Sequence, residues 1–284
     1  MKKIISLVLV AVILVTSMFA LASCGPKYDT NFGKDFSPVS SQMDVLLQLN
    51  AKSIDVGVMD SIMAGYYMSK DTTYANTLMI VEGLVLAEEQ YGIAARKGSG
   101  LTKMINKALF ALANDGTVDT IADKYGVKSE ICIDKNAVIA DLTADEQADW
   151  NYIQGRGKFI VGYTLFAPIA YEENGKLIGF DIDLAKAVAE VIDLDVEFKL
   201  INWATKEAEL ESKTIDCIWN GMTITPERQA QMEVSIPYMN NKQVAIIRKA
   251  DAELYKNTDD MADALIGAED GSAGMSCVVK ADEE

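Results

Sequence analysis

Two kinds of apolar periodicity alternate along this chain, and that alternation restricts its fold more than any other feature. Ile54, Val56 and Val58 recur at every second residue and end at Asp60, a strand pattern. Val196, Phe198 and Leu200 do the same, interleaved with Glu197 and Lys199. Leu101, Met104, Ile105, Ala108, Leu109 and Leu112 instead keep helical spacing, and Met43, Leu46, Leu47 and Leu49 mark a shorter helix. Asn114-Asp115-Gly116 and Gly126 supply stop signals for two successive helices. Strands alternating with helices predict an α/β architecture with largely parallel sheets. In open sheets of that kind, ligands bind beyond the carboxyl ends of the strands.

A weak internal echo sharpens this expectation. Lys52-Ser53-Ile54-Asp55 recurs as Lys213-Thr214-Ile215-Asp216, each copy preceded by helical spacing and followed by an apolar strand. The echo puts Asp60 and Asn220-Gly221 at equivalent strand ends. Two similar lobes facing one cleft would produce that arrangement, although so short a match can also arise by chance.

The first residues bear on the compartment. Lys2 and Lys3 precede the apolar run Ile4 to Ala20, and Leu21-Ala22-Ser23-Cys24 follows. The order of charge, apolar run and small residues is that of an export signal, to be set aside in fold reasoning. A retained membrane anchor is the competing reading, because about 20 apolar residues can span a bilayer. The whole chain has net charge −16, and removing residues 1–23 takes two lysines and no acid. So acidic a surface repels phosphate backbones and argues against nucleic-acid partners. No histidine is present, which excludes Ser–His and Cys–His nucleophiles and the commonest zinc ligand. No cofactor or metal is expected. Cys132, Cys217 and Cys277 are an odd set and read as buried thiols rather than a disulfide framework.

Residues 158–250 resemble the family 3 extracellular solute-binding proteins of amino-acid ABC transporters. The likeness runs through Lys158-Phe-Ile-Val-Gly-Tyr163, Phe166-Ala-Pro-Ile169 and Gly179-Phe-Asp-Ile-Asp-Leu-Ala185. Its most specific stretch is Ile215-Asp-Cys-Ile-Trp-Asn-Gly-Met-Thr-Ile-Thr-Pro-Glu-Arg228, followed by Ser235-Ile-Pro-Tyr238. Gly267-Ala-Glu-Asp-Gly-Ser-Ala-Gly274 resembles the turn that opens the family's second lobe. Leu-Ala-Ser-Cys24 is similar to a lipobox, which implies lipidation of Cys24. The family's C-terminal half resembles residues 35–134, through Ile54-Asp-Val-Gly-Val-Met-Asp60 and Tyr91-Gly-Ile-Ala-Ala-Arg-Lys97.

The resemblance therefore implies a two-lobe periplasmic-binding-protein-like (type II) α/β fold, circularly permuted, with the ligand cleft between the lobes. The expected plan is signal peptide 1–23, lipidated tether 24–35, lobe 2 from 36–92 and 248–284, and lobe 1 from 93–247. Crossovers at Tyr91–Lys97 and Val244–Ala250 would form the hinge. Residues 135–157 would bridge the old ends, with Thr143-Ala-Asp-Glu146 reading as a capping box. A fusion of two gene fragments is the competing explanation of the order.

The same resemblance implies the site. Arg228 would fork onto the ligand carboxylate, a geometry Lys cannot copy. Ser272 and Ala273 would add backbone N–H groups at a helix start, and Asp60 would take the ammonium. Asn220, Gly221, Met222 and Thr223 would contribute hydrogen bonds from lobe 1, with Phe166 and Trp203 enclosing the side chain. Tyr163 departs from the acidic or small residue often found there. The implied partners are an amino acid, an ABC permease and the membrane, reached through lipid on the extracellular face. An enzyme on the same scaffold, resembling the arogenate and cyclohexadienyl dehydratases with Asp60 or Glu207 as acid, and a sensor without transport remain alternatives.

Overall fold

The computed structural model describes residues 28–69 and 73–281. The expected signal peptide and lipidation site, residues 1–23 and Cys24, lie outside the described residues. The chain runs through β1 (Asp35–Val39), α1 (Gln42–Asn50), β2 (Val56–Asp60), α2 (Ser61–Ser69), α3 (Thr73–Thr77) and the long β3 (Leu78–Arg96). Helices α4 (Leu101–Asn114), α5 (Thr117–Tyr125) and α6 (Ala144–Arg156) follow. Next come β4 (Lys158–Tyr163), the hairpin β5 (Tyr171–Glu173) and β6 (Lys176–Ile178), α7 (Phe180–Val191) and β7 (Asp195–Leu200). Then α8 (Lys206–Glu211), β8 (Cys217–Thr223), α9 (Pro226–Gln231) and β9 (Met232–Val234) lead to β10 (Met239–Arg248), β11 (Leu265–Glu269) and α10 (Ala273–Val278).

The fold is mixed α/β around a nine-stranded sheet in the order β1-β11-β2-β10-β3-β8-β4-β7, with β9 pairing to β3. Two parallel triplets stand at its ends, β1-β11-β2 and β8-β4-β7. Their inner strands β2 and β8 are buried at every residue, as parallel strands covered on both faces must be. Between the triplets, β10 and β3 run antiparallel to each other and to their neighbours. Parallel pairing thus holds within each lobe, and the connecting strands are antiparallel because each passes from one lobe to the other.

The crossings fall a few residues earlier in the chain than expected. Gln243, Val244, Ala245 and Ile246 already pair with β2, and Tyr91 already pairs with Thr223 of β8. Backbone hydrogen bonds to a lobe fix the chain to it; Ile224 N donates to Gln90 O at 2.8 Å and Lys242 N to Ser61 Oγ at 3.2 Å, so the free spans are Glu88–Glu89 and Asn240–Asn241. Register shifts in β10 lie just beyond, between Gln243 and Val244 and between Val244 and Ile246.

The sequence echo has a structural counterpart in each lobe. Arg96, ending β3, donates to Ile215 O at 3.0 Å and to Asp216 Oδ1 at 3.2 Å. Arg248, ending β10, donates to Ile54 O at 2.8 Å and to Asp55 Oδ1 at 3.4 Å. Asp216 also accepts from Ile160 N at 2.9 Å, and Asp55 from Leu265 N at 3.0 Å. The preceding lysines share a left-handed backbone, with φ 62° at Lys52 and 60° at Lys213. Each Asp thus ties the start of one strand to its parallel neighbour and to the end of a connecting strand.

Asp216 is fully buried and holds Arg156 as well, at 2.6 Å. Asp216→Ala leaves Arg156 without a carboxylate and Arg96 with Asp149 alone, at 3.4 Å, and is expected to cost about 3 kcal/mol of stability. A urea midpoint shift at unchanged m-value would report it; a loss under about 1 kcal/mol, the level of a surface pair, contradicts this account.

Residues 28–34, expected to belong to the tether, are docked instead. Asn31 N donates to Val278 O at 2.7 Å, and the Tyr28 ring meets Phe36 edge-on at 5.0 Å. Tyr28 and Phe32 are apolar enough to pack, and they cover the cluster around Val56 and Ile266. The capping box at α6 is formed, with Glu146 N donating to Thr143 Oγ1 at 3.3 Å and Thr143 N to Glu146 Oε2 at 2.6 Å. Cys217 is buried, whereas Cys132 and Cys277 are only half-buried; all three are free.

Candidate ligand-binding cleft

The carboxyl ends of β2, β8 and β11 converge on a narrow cleft. Asp60, Phe166, Trp203, Asn220, Gly221, Thr223, Arg228, Ser272 and Ala273 all line it. Met222 does not. Its side chain packs into the core with Trp203, Ile215 and Ile218. Gln42, Thr164, Leu165 and Glu269 also line the cleft and were not anticipated. The strand-end rule could have singled out Glu269, which closes β11 as Asp60 closes β2.

Arg228 stands in the first turn of α9, where Thr225 Oγ1 caps its N–H at 3.2 Å. Its Nη1 donates to Thr223 O at 2.8 Å and its Nη2 reaches Gly271 O across the cleft at 3.4 Å. Its guanidinium carbon lies 6.0 Å from the Trp203 ring centroid. Burial lowers the Arg228 pKa, without threatening a charge this basic. The group keeps unused donors for an anion between the lobes.

Asp60 accepts at Oδ1 from Tyr91 OH at 2.7 Å, from Gln243 Nε2 at 3.0 Å and from Asn241 Nδ2. Gln42 Nε2 donates to Oδ2. These donors are neutral, so they orient the carboxylate without cancelling its charge. Behind it, Glu89 shares the amides of Asn241 and Gln243, at 2.5 and 2.9 Å. Burial first, and the Asp60 charge second, push the Glu89 carboxyl up to about 8.

The lobe 1 bank is held from below. Gly221 has φ 62°, and a Cβ there would stand 2.7 Å from the Phe166 ring and 3.0 Å from Tyr91. Its N–H donates to buried Asp181 Oδ2 at 3.0 Å, which also accepts from Tyr238 OH at 2.9 Å. Burial raises the Asp181 carboxyl to about 7 against those hydrogen bonds. Asn220 Nδ2 donates to Thr164 Oγ1 at 2.7 Å, and its buried Oδ1 has no partner among the described residues. On the opposite bank Ser272 caps α10 by accepting from Met275 N at 3.1 Å. The Ser272 N–H is taken by Glu269 O at 3.2 Å, so it is not free for an anion in this conformation.

A two-lobed sheet with a polar cleft at converging strand ends is the architecture of a small-molecule binding protein. Residues 159–271 match the Bacterial extracellular solute-binding proteins, family 3, and the curated relatives are amino-acid-binding proteins. The chain is 29% identical over 136 residues to the L-cystine-binding protein TcyJ of Escherichia coli (strain K12), covering 46% of this chain and 51% of that one. It is 34% identical over 99 residues to the ABC transporter arginine-binding protein 1 of the same strain, covering 35% and 40%. A crystal structure of an ABC uptake transporter substrate binding protein from Streptococcus pneumoniae, with bound histidine, aligns at 40% identity and a TM-score of 0.28, over 29% of this chain and 35% of that one. The chain spans about half the length of TcyJ and less of the arginine-binding protein. Among the described residues no helix is long and apolar enough to cross a membrane.

Proposed function

We propose that this chain is a lipid-anchored binding protein that captures a small amino acid in the interlobe cleft and delivers it to an ABC importer. The observation that carries the reading is the pairing of Arg228 on one lobe with Asp60 on the other across a single cleft. An amino acid offers a carboxylate and an ammonium at fixed separation, and these two groups answer both. Phe166 and Trp203 border the space left for the side chain. Closure brings the banks together about the free spans of β3 and β10, and ligand favours it by binding both lobes at once. The names of the relatives support the ligand class and the transporter partner.

The order of the lobes fits a circular permutation. β11, from the end of the described chain, lies between β1 and β2 from its beginning. A thermal-shift screen against the twenty amino acids and cystine tests the binding role. A ligand at 100 times its Kd should add about 2.7 kcal/mol of stability, and no shift with any of them overturns the reading. Lipid anchoring through Cys24 is tested in cells, where Cys24→Ala is expected to release the protein. Continued membrane retention would favour the apolar N-terminal run as the anchor.

A further inference from the structure

Acidic groups in the cleft exceed what a simple zwitterion requires. Arg228 and Asp60 answer one carboxylate and one ammonium, yet a second acid, Glu269, lines the same cleft at 5% exposure. Among the described residues nothing hydrogen-bonds its carboxylate. The nearby cation Lys206 acts on it through charge but makes its hydrogen bonds elsewhere. Lys206 Nζ carries three N–H groups, and it already meets Glu207 Oε1 at 2.9 Å, Trp203 O at 3.3 Å and Gly271 O at 3.4 Å. Asn220, which also lines the cleft, has a buried Oδ1 without a partner among the described residues and is a second acceptor there. Surplus acceptors on both banks call for a ligand with surplus donors, since a buried acceptor left unpaired is costly.

We propose, resting on the binding role above, that the ligand is a basic amino acid and that Glu269 receives its side-chain cation. The α-ammonium goes to Asp60 and the α-carboxylate to Arg228. The side chain runs past Phe166 and Trp203 towards the end of β11. Glu269 then sets specificity by charge, and a neutral side chain of the same shape leaves it unpaired.

Proton release accompanies this binding. Burial, then the Asp60 charge, raise the Glu269 carboxyl to about 8; Lys206 opposes them, while Asp44 and Asp270 add to the rise. In the empty cleft burial thus favours the protonated form of Glu269 near pH 7, and an incoming cation favours the ionised form and drives the proton off. Above about pH 9 the acid is already ionised and no proton remains to leave.

Calorimetry on the whole protein with L-arginine, L-lysine and L-citrulline, the uncharged analogue of arginine, tests this. Arginine or lysine is expected to bind on the order of 10- to 100-fold more tightly than citrulline. Glu269→Gln should remove most of that preference by weakening the basic ligand far more than citrulline. Titrations in phosphate and in Tris at pH 7 should report proton release in the wild type and less in the variant. Equal binding of arginine and citrulline overturns the assignment, as does a Glu269→Gln loss shared by both ligands, which would place Glu269 on the α-ammonium. Should the variant fail to fold, the wild-type preference and proton count decide alone. Tight binding of a neutral amino acid, with arginine and lysine excluded, refutes the charge assignment while leaving the binding role intact. Silence with all amino acids refutes the binding role itself.

Discussion

Arg228→Lys is expected to weaken amino-acid binding by about 1.5–3 kcal/mol, roughly 10- to 150-fold in Kd. The guanidinium does three things from one position. It donates to Thr223 O, reaches Gly271 O on the facing lobe and lies near the Trp203 ring. An ammonium on a flexible stem keeps the charge and cannot hold a carboxylate at two points while also bonding Thr223 O. The loss should therefore persist at high salt, where a long-range charge effect would be screened. Calorimetry at two ionic strengths, with a melting curve to show the fold is kept, measures it. An unchanged Kd would remove Arg228 from the ligand and with it the site proposed here.

Ending the chain at residue 247 is expected to unfold the whole of lobe 2. The truncation removes β11, the strand between β1 and β2 in the sheet. β1 then loses its pairing with Leu265–Glu269, and Asp55 loses both Leu265 and Arg248. Arg248 also ties down Leu49 O and Ile54 O, the carbonyls between α1 and β2. A remnant of about 40–60 residues rarely buries enough apolar surface to stand alone. Amide exchange should speed up throughout residues 36–60 while α4, α5 and β4 stay protected. Retained protection in β1 and β2 would mean that the two ends of the chain do not build one unit. Rejoining the pieces as 135–284 followed by 35–134 should keep both fold and ligand. A relinked protein that folds but binds nothing the original binds would separate the two halves of the cleft.

Most of the cleft was legible because its residues sit where local pattern and topology agree. Strand periodicity located the ends of β2 and β8, and ligands gather beyond strand ends in such sheets. Asp60, Asn220, Gly221 and Thr223 follow from that rule together with the family likeness. The Met222 side chain does not line the cleft, because it fills a core with Ile215 and Ile218 that only the packed sheet creates. The crossings were set too late in the chain because pairing partners, not sequence, decide where a connecting strand leaves its lobe. Residues 28–34 read as polar linker, yet Tyr28 and Phe32 find an apolar surface that exists only when both chain ends meet.

The sequence by itself determined the α/β alternation, the two-fold echo through Asp55 and Asp216, and most of the residue types lining the cleft. These rest on local periodicity and on side-chain chemistry that each residue carries wherever it lies. Tertiary structure alone decided which groups are already spoken for. In the fold the three Lys206 donors are taken by Glu207, Trp203 and Gly271, which leaves Glu269 without a hydrogen bond from it. Asp60 is surrounded by Gln42, Tyr91, Asn241 and Gln243, drawn from four separate elements. Hydrogen-bond capacity is finite and is allotted by packing, so an acid left without a partner can be recognised only after every neighbour has been placed.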